Sequence, residues 1–288
     1  MSKLSPVNNI TNLVDLIDYY DLFLFDLWGV IIDGADLYPG AKNTIEKILV
    51  HKNLIFVSNS SRTQDAIAIK LASLGLQVPS KSIITAGDLA KNMLSNAHKY
   101  FDVSNPKIYN FGLDHNAELW NQFNLQTVSD LEQADIMVIS LGLLQQDVSQ
   151  SHYDILQKAA ELKIPAICAN NDKILIERGK VIYCASYFAD KFEEFGGKVV
   201  YIGKPFEPIF QEALSLYPQV AKERILMTGD TFDTDVLGAN KIGIDAAVVT
   251  TGNMYSIVEE DDQEHVMLSK INKQAERLNL TVNRIVRL

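Results

Sequence analysis

Short apolar runs rich in β-branched and aromatic residues alternate along this chain with helix-length amphipathic stretches, and few folds accommodate that alternation besides βα units around a parallel sheet. Strands are predicted over 22–25, 54–57, 82–85, 107–111, 136–140, 166–169, 199–202, 225–228 and 246–250, with a last short one near 281–286. Helices are predicted over 41–52, 63–74, 88–98, 151–162, 207–216 and 234–241, several bordered by Pro, Gly or Asn. The acidic run from Glu259 to Glu264 reads as the solvated start of a helix. At 288 residues the chain is long enough for two cores. The loop-like residues 100–106 and the Gly196-Gly197 pair bracket a βα segment of domain size. The expectation is an α/β protein with a discontinuous core, 1–102 and 199–288, interrupted by an inserted α/β domain over 103–198.

Charge narrows the partners. Lys and Arg number 26 against 36 Asp and Glu, a formal net charge of -10, so the overall field repels nucleic acid and anionic lipid. A small anion remains accessible, since one lysine and a few backbone amides suffice to bind it. The apolar run Leu22 to Ile32 is broken by Asp26 and falls short of the ~20 residues of a membrane helix. The first twenty residues lack a basic stretch followed by an apolar block, so a cytoplasmic protein is expected. Cys168 and Cys184 are too few for a disulfide framework and lack C-x-x-C spacing, which makes them structural thiols. Oligomeric state is left open.

Four polar groups stand at the carboxyl ends of predicted strands: Asp26 after LFLF, Ser58 after LIFV, Lys204 after VVYIG and Asp230 after RILMTG. Open α/β sheets bind ligands outside those ends. Two carboxylates suit a hard Mg²⁺ ion, an ammonium neutralises phosphoryl charge, and a hydroxyl with loop amides holds phosphoryl oxygens. The bland readings differ in weight. Asp26 inside an apolar run is costly to bury without a task, Ser58 alone reads as a helix cap, and Lys204 alone reads as a surface lysine. Asp230, Asp233 and Asp235 suggest a calcium loop, but Leu237 and Gly238 fall out of the EF-hand register. His51, His98, His115, His152 and His265 show no paired metal spacing. No G-x-S-x-G, Walker A or G-x-G-x-x-G motif is present.

In order, FDLWGV, VSNSSR, GKP and GDTFDTD resemble the four motifs of the haloacid dehalogenase (HAD) superfamily. The large segment between VSNSSR and GKP resembles class IIA, the NagD-like branch. The resemblance implies a Rossmann-like core with an inserted α/β cap, and a Mg²⁺-dependent phosphatase of a small phosphorylated metabolite working through an aspartyl-phosphate. It assigns Asp26 as nucleophile, Ser58 and Asn59 as phosphoryl holders, Lys204 as charge clamp, and Asp230 with Asp235 as metal carboxylates. Asn171 and Asp172 in CANND resemble the cap's substrate loop, although a plain Asx turn explains them equally well. One position departs from the pattern: phosphatases of the superfamily carry a general-acid Asp where this chain has Trp28. Trp28 retains a carbonyl for the metal but no transferable proton. Weak activity on alkyl phosphates is therefore expected. The alternatives are a substrate whose leaving group needs no proton, or a catalytically attenuated protein that binds phospho-ligands.

Overall fold

The computed structural model describes residues 5–112, 125–177 and 180–288; His115 lies outside them. Its contacts divide the chain into two compact units, the first comprising residues up to Ser58, Ile67–Ile84 and Lys204–Leu288, the second Asn59–Ala66 and Thr85–Gly203. The chain enters with β1 (Ile10–Asn12), β2 (Leu22–Phe25), the hairpin β3 and β4 (Ile32–Asp33, Asp36–Leu37), α1 (Ala41–His51), β5 (Asn53–Ser58), α2 (Gln64–Ser73) and β6 (Ile83–Thr85). It continues through α3 (Ala86–Ser95), β7 (Lys107–Phe111), β8 (Gln126–Val128), β9 (Ile136–Ile139), β10 (Leu143–Leu144) and α4 (Gln150–Glu161). Next come β11 (Ala166–Cys168), the hairpin β12 and β13 (Ile174–Glu177, Lys180–Tyr183), α5 (Ala185–Glu194) and β14 (Val199–Tyr201). It returns with α6 (Glu207–Ser215), β15 (Ile225–Gly229), α7 (Leu237–Ile242), β16 (Asp245–Val249), α8 (Glu264–Leu278) and β17 (Arg284–Arg287).

The first unit is built on a seven-stranded sheet in the order β1-β17-β16-β15-β2-β5-β6, and its pairs from β1 through β5 are parallel. Parallel strands covered on both faces read as continuous apolar runs. Leu22, Phe23, Leu24 and Phe25 of β2 are all fully buried. The Phe23 and Phe25 rings join Ile45, Ile48, Phe56 and Ile67 in one core cluster.

The second unit contains a five-stranded sheet, β14-β11-β9-β7-β8, and the separate antiparallel β10-β13-β12. Alternate residues of β9 serve opposite faces, as the period of two requires: Met137 and Ile139 pack with Phe188 and Phe192, whereas Ile136 and Val138 pack with Ala86, Ala90 and Leu94. Helix α3 thereby belongs to the second unit, and the contact boundary falls at Ile84/Thr85 and Gly203/Lys204, where the sequence suggested 102/103 and 198/199. Other elements also differ from expectation. The predicted helix 234–241 opens with a π-turn over Phe232–Val236 before α7, and helix α5 and the hairpin β12–β13 lie where no element was predicted.

Candidate active site

The ends of β2 and β15 carry the acids. Their register aligns Phe25 with Thr228, and the Asp26 amide donates to the Thr228 carbonyl (2.9 Å), so Asp26 and Asp230 emerge side by side. The π-turn then brings Asp235 back beneath them, its Oδ2 accepting the Thr231 amide (3.1 Å). π-Turns recur at functional sites because one extra residue re-aims a side chain. Here the shift aims Asp235 inward and leaves Asp233 exposed. Oxygens of Asp26, Asp230 and Asp235 lie within 4.8 Å of one another.

Lys204, only 1% exposed, bridges two of these acids, with Nζ 2.6 Å from Asp26 Oδ1 and 2.7 Å from Asp235 Oδ1. Burial works against its ammonium, but Asp235 and Asp26 outweigh that cost and hold Lys204 above the ordinary lysine range. Asp230 is buried without an ion pair of that kind. Burial first, then the Asp235 charge, pushes it up to about 7 against hydrogen bonds from Asn253 and Thr231. Three carboxylates crowded around one ammonium carry excess negative charge. A hard divalent cation with oxygen ligands balances it, so these residues fit Mg²⁺.

Asp230 sits in a slot of bare backbone. Its Oδ1 accepts from the Thr231 hydroxyl (2.9 Å) and its Oδ2 from the Asn253 amide (2.7 Å), while the Thr251 hydroxyl donates to the Gly29 carbonyl (2.6 Å). A Cβ on Gly29 or Gly252 would meet Asp230 Oδ2 at 1.9 or 2.1 Å, and both residues have positive φ. Gly29→Ala should therefore lower the melting temperature more than Gly243→Ala. The latter position also has positive φ, but nothing lies within 4 Å of its Cβ, so it carries only the ~1–2 kcal/mol conformational cost. Equal losses would show that the slot is loose.

Ser58 is buried as the last residue of β5, the strand beside β2. Trp28 is half-buried against the first unit's core cluster. Asn59 opens the second unit and donates its amide to Asp172 Oδ1 (3.0 Å). The Asx turn is present: Asn170 Oδ1 accepts the Asp172 amide (2.9 Å). Asn171 is buried, and neither of its side-chain amide atoms has a hydrogen-bond partner among the described residues. Thr231, Thr251, Gly252 and Asn253, which support Asp230, were not singled out from sequence. The one signal was position, since 250–253 is the polar, glycine-containing stretch just past β16.

Residues 23–126 match the family of haloacid dehalogenase-like hydrolases and residues 201–270 match the HAD-hydrolase-like family. The chain is 25% identical over 270 residues to an acid sugar phosphatase of Staphylococcus haemolyticus, covering 90% of this chain and 99% of that one. It is 26% identical over 236 residues to the D-glycerol 3-phosphate phosphatase of Mycobacterium tuberculosis, covering 81% and 64%. A crystal structure from Cytophaga hutchinsonii, described as a possible sugar phosphatase of the HAD superfamily, superposes with a TM-score of 0.78 at 25% identity over 98% of both chains. Among the described residues no helix is long and apolar enough to cross a membrane. Strand-end acids tied by a buried lysine on a parallel sheet, together with the family matches over residues 23–126 and 201–270, place this chain among the haloacid dehalogenase-like hydrolases of class IIA.

Proposed function

We propose that this hydrolase is a Mg²⁺-dependent phosphatase of small phosphorylated metabolites that works through an aspartyl-phosphate on Asp26. The observation that carries the reading is the buried Lys204 shared by Asp26 and Asp235 beside Asp230. The names of the relatives, an acid sugar phosphatase and a D-glycerol 3-phosphate phosphatase, favour phosphorylated sugars and polyols as substrates. Asp26, Asp230 and Asp235 would hold Mg²⁺ with the Trp28 carbonyl; when bound, the ion supplies charge neutralisation to the phosphoryl oxygens.

Asp26 attacks phosphorus through a carboxylate oxygen while the bond to the leaving oxygen breaks. Lys204 orients that carboxylate through its ion pair and balances phosphoryl charge, with Ser58 and Asn59 holding the remaining oxygens. The leaving oxygen takes its proton from solvent, because the Trp28 indole offers none that can be transferred. Water then attacks phosphorus, releasing inorganic phosphate and regenerating Asp26. The second unit takes the cap's role of selecting the substrate. The buried amide of Asn171, without a partner among the described residues, supports a place for it in recognition, together with Asp172.

Phosphate release from sugar and glycerol phosphates, with Mg²⁺ and with a chelator, tests this reading alongside acid-quench trapping of the phosphorylated protein. Asp26→Asn should abolish both the release and the trapped label, and chelation should suppress them in the parent. Turnover that survives Asp26→Asn would overturn the assignment of the nucleophile. Absence of release from every compound, together with thermal stabilisation by them, would instead establish the attenuated phospho-ligand binder that Trp28 favours.

A further inference from the structure

The first unit contains a cavity that the proposed chemistry does not use. It has a volume of about 460 Å³ and is lined by Asp33, Tyr38, Thr251, Tyr255, Glu260 and Arg287, among others. Its polar character is lopsided. Asp33 and Glu260 supply two carboxylates, and the single cation in the lining, Arg287, directs its guanidinium to Glu264 (3.9 Å). The acidic run is folded so as to present Glu260: Asp262 Oδ2 accepts the Glu259 amide (2.8 Å) and pairs with Lys270 (2.7 Å). Neither tyrosine is fully buried, and both feel the carboxylates. Burial and then Asp33 push the Tyr38 phenol up to about 12, while burial, Glu260 and Asp33 raise Tyr255.

Two tyrosines beside two carboxylates, lining a cavity on a protein with a net charge of -10, favour cations. The size of the cavity suits an organic cation better than a bare metal ion, and its lining is not a compact set of oxygen ligands. We propose that this cavity binds a small organic ammonium ion, with the Tyr38 and Tyr255 rings against its alkylated nitrogen and Asp33 and Glu260 balancing its charge.

The site is wired to the acid cluster. Thr251 lines the cavity and also bonds to Gly29, Gly252 lies against both Tyr38 and Asp230, and Asn253 of the same turn donates to Asp230. An occupant that orders residues 251–255 therefore alters how firmly Asp230 is held, and with it Mg²⁺ affinity. This coupling rests on the phosphatase reading, whereas the binding itself does not.

Calorimetric titration of the full chain with choline and with its neutral carbon isostere, dimethylbutanol, tests the site without reference to turnover. Choline should bind saturably and the isostere at least several-fold more weakly. Tyr255→Phe, which keeps the ring, should retain affinity. Tyr255→Leu should lose roughly 2- to 30-fold, and Glu260→Gln should weaken binding in the same direction. Tyr255 and Glu260 are exposed, so both variants should fold. No saturable choline binding, equal binding of the isostere, or an unchanged affinity in Tyr255→Leu would overturn the site. Choline binding that leaves the Mg²⁺ affinity measured by the same calorimetry unchanged would overturn the coupling alone.

Discussion

Lys204→Met should destabilise the protein by about 3–5 kcal/mol, the usual cost of removing one partner from a buried ion pair. The lysine side chain is 1% exposed and spans Asp26, 15% exposed, and Asp235, 1% exposed. Methionine fills similar volume, so the loss reports charge and not packing. The carboxylates that the ammonium balanced would stay in a site from which water is largely excluded, beside a third acid already raised by burial. A loss of this size corresponds to roughly 6 to 20 °C in melting temperature for a domain of this scale. Lys222→Met is the control at an exposed lysine, whose ammonium donates to the Ile242 carbonyl (2.7 Å) and forms no such pair among the described residues. Urea denaturation of the two variants decides the matter. A Lys204→Met loss no greater than that of Lys222→Met would mean that the buried pairs contribute nothing net.

Trp28→Asp should raise turnover of alkyl phosphates by up to the ~10²–10⁴-fold that general acid catalysis supplies, with little change for aryl phosphates, whose leaving groups need no proton. The reason is positional. Trp28 lies two residues beyond Asp26, in the turn that Gly29 closes against Asp230, and the rest of the acid cluster is in place. Loss of the ring has its own cost, because Trp28 packs against the core cluster of the first unit. The ring is only half-buried, so the cost should fall below the ~3–5 kcal/mol of emptying a fully buried aromatic site. Melting temperature must be read beside the rates. A folded variant in which alkyl and aryl rates both fall would refute the missing-acid account and make Trp28 a residue that contacts substrate.

Much of the fold could be read in the chain because a parallel strand buried on both faces has a distinctive spelling. LFLF, LIFV and the ILM of ILMTG are unbroken apolar runs, and each falls on a strand of the sheet. The hairpin β12–β13 escaped although ILIE and KVIY are as long as LFLF: each ends or begins on a charged residue, and the pair forms a separate antiparallel sheet outside the alternation of strand and helix. Helix α5 escaped for another reason. It follows β13 directly and is rich in aromatic residues, ASYFADKFEE, whose intrinsic preference does not separate helix from strand. The extent of the second unit was hidden as well. Nothing in α3 itself says that Ala86, Ala90 and Leu94 pack with Ile136 and Val138.

The sequence by itself determined the strand ends at which polar groups gather. Asp26, Ser58 and Asp230 appear where an apolar run stops, because a side chain at that point leaves the packed layer and reaches the end of the sheet. Tertiary structure alone decided which acids converge and what holds them. Asp233 and Asp235 are equivalent by composition, and only the π-turn sends one outward and the other to within 2.7 Å of Lys204. The slot for Asp230 needs Gly29 and Gly252, more than 200 residues apart, to bring bare backbone to the same oxygen. Spacing along a chain carries no record of such an approach, because it is set by the register of strands that meet only when the sheet forms.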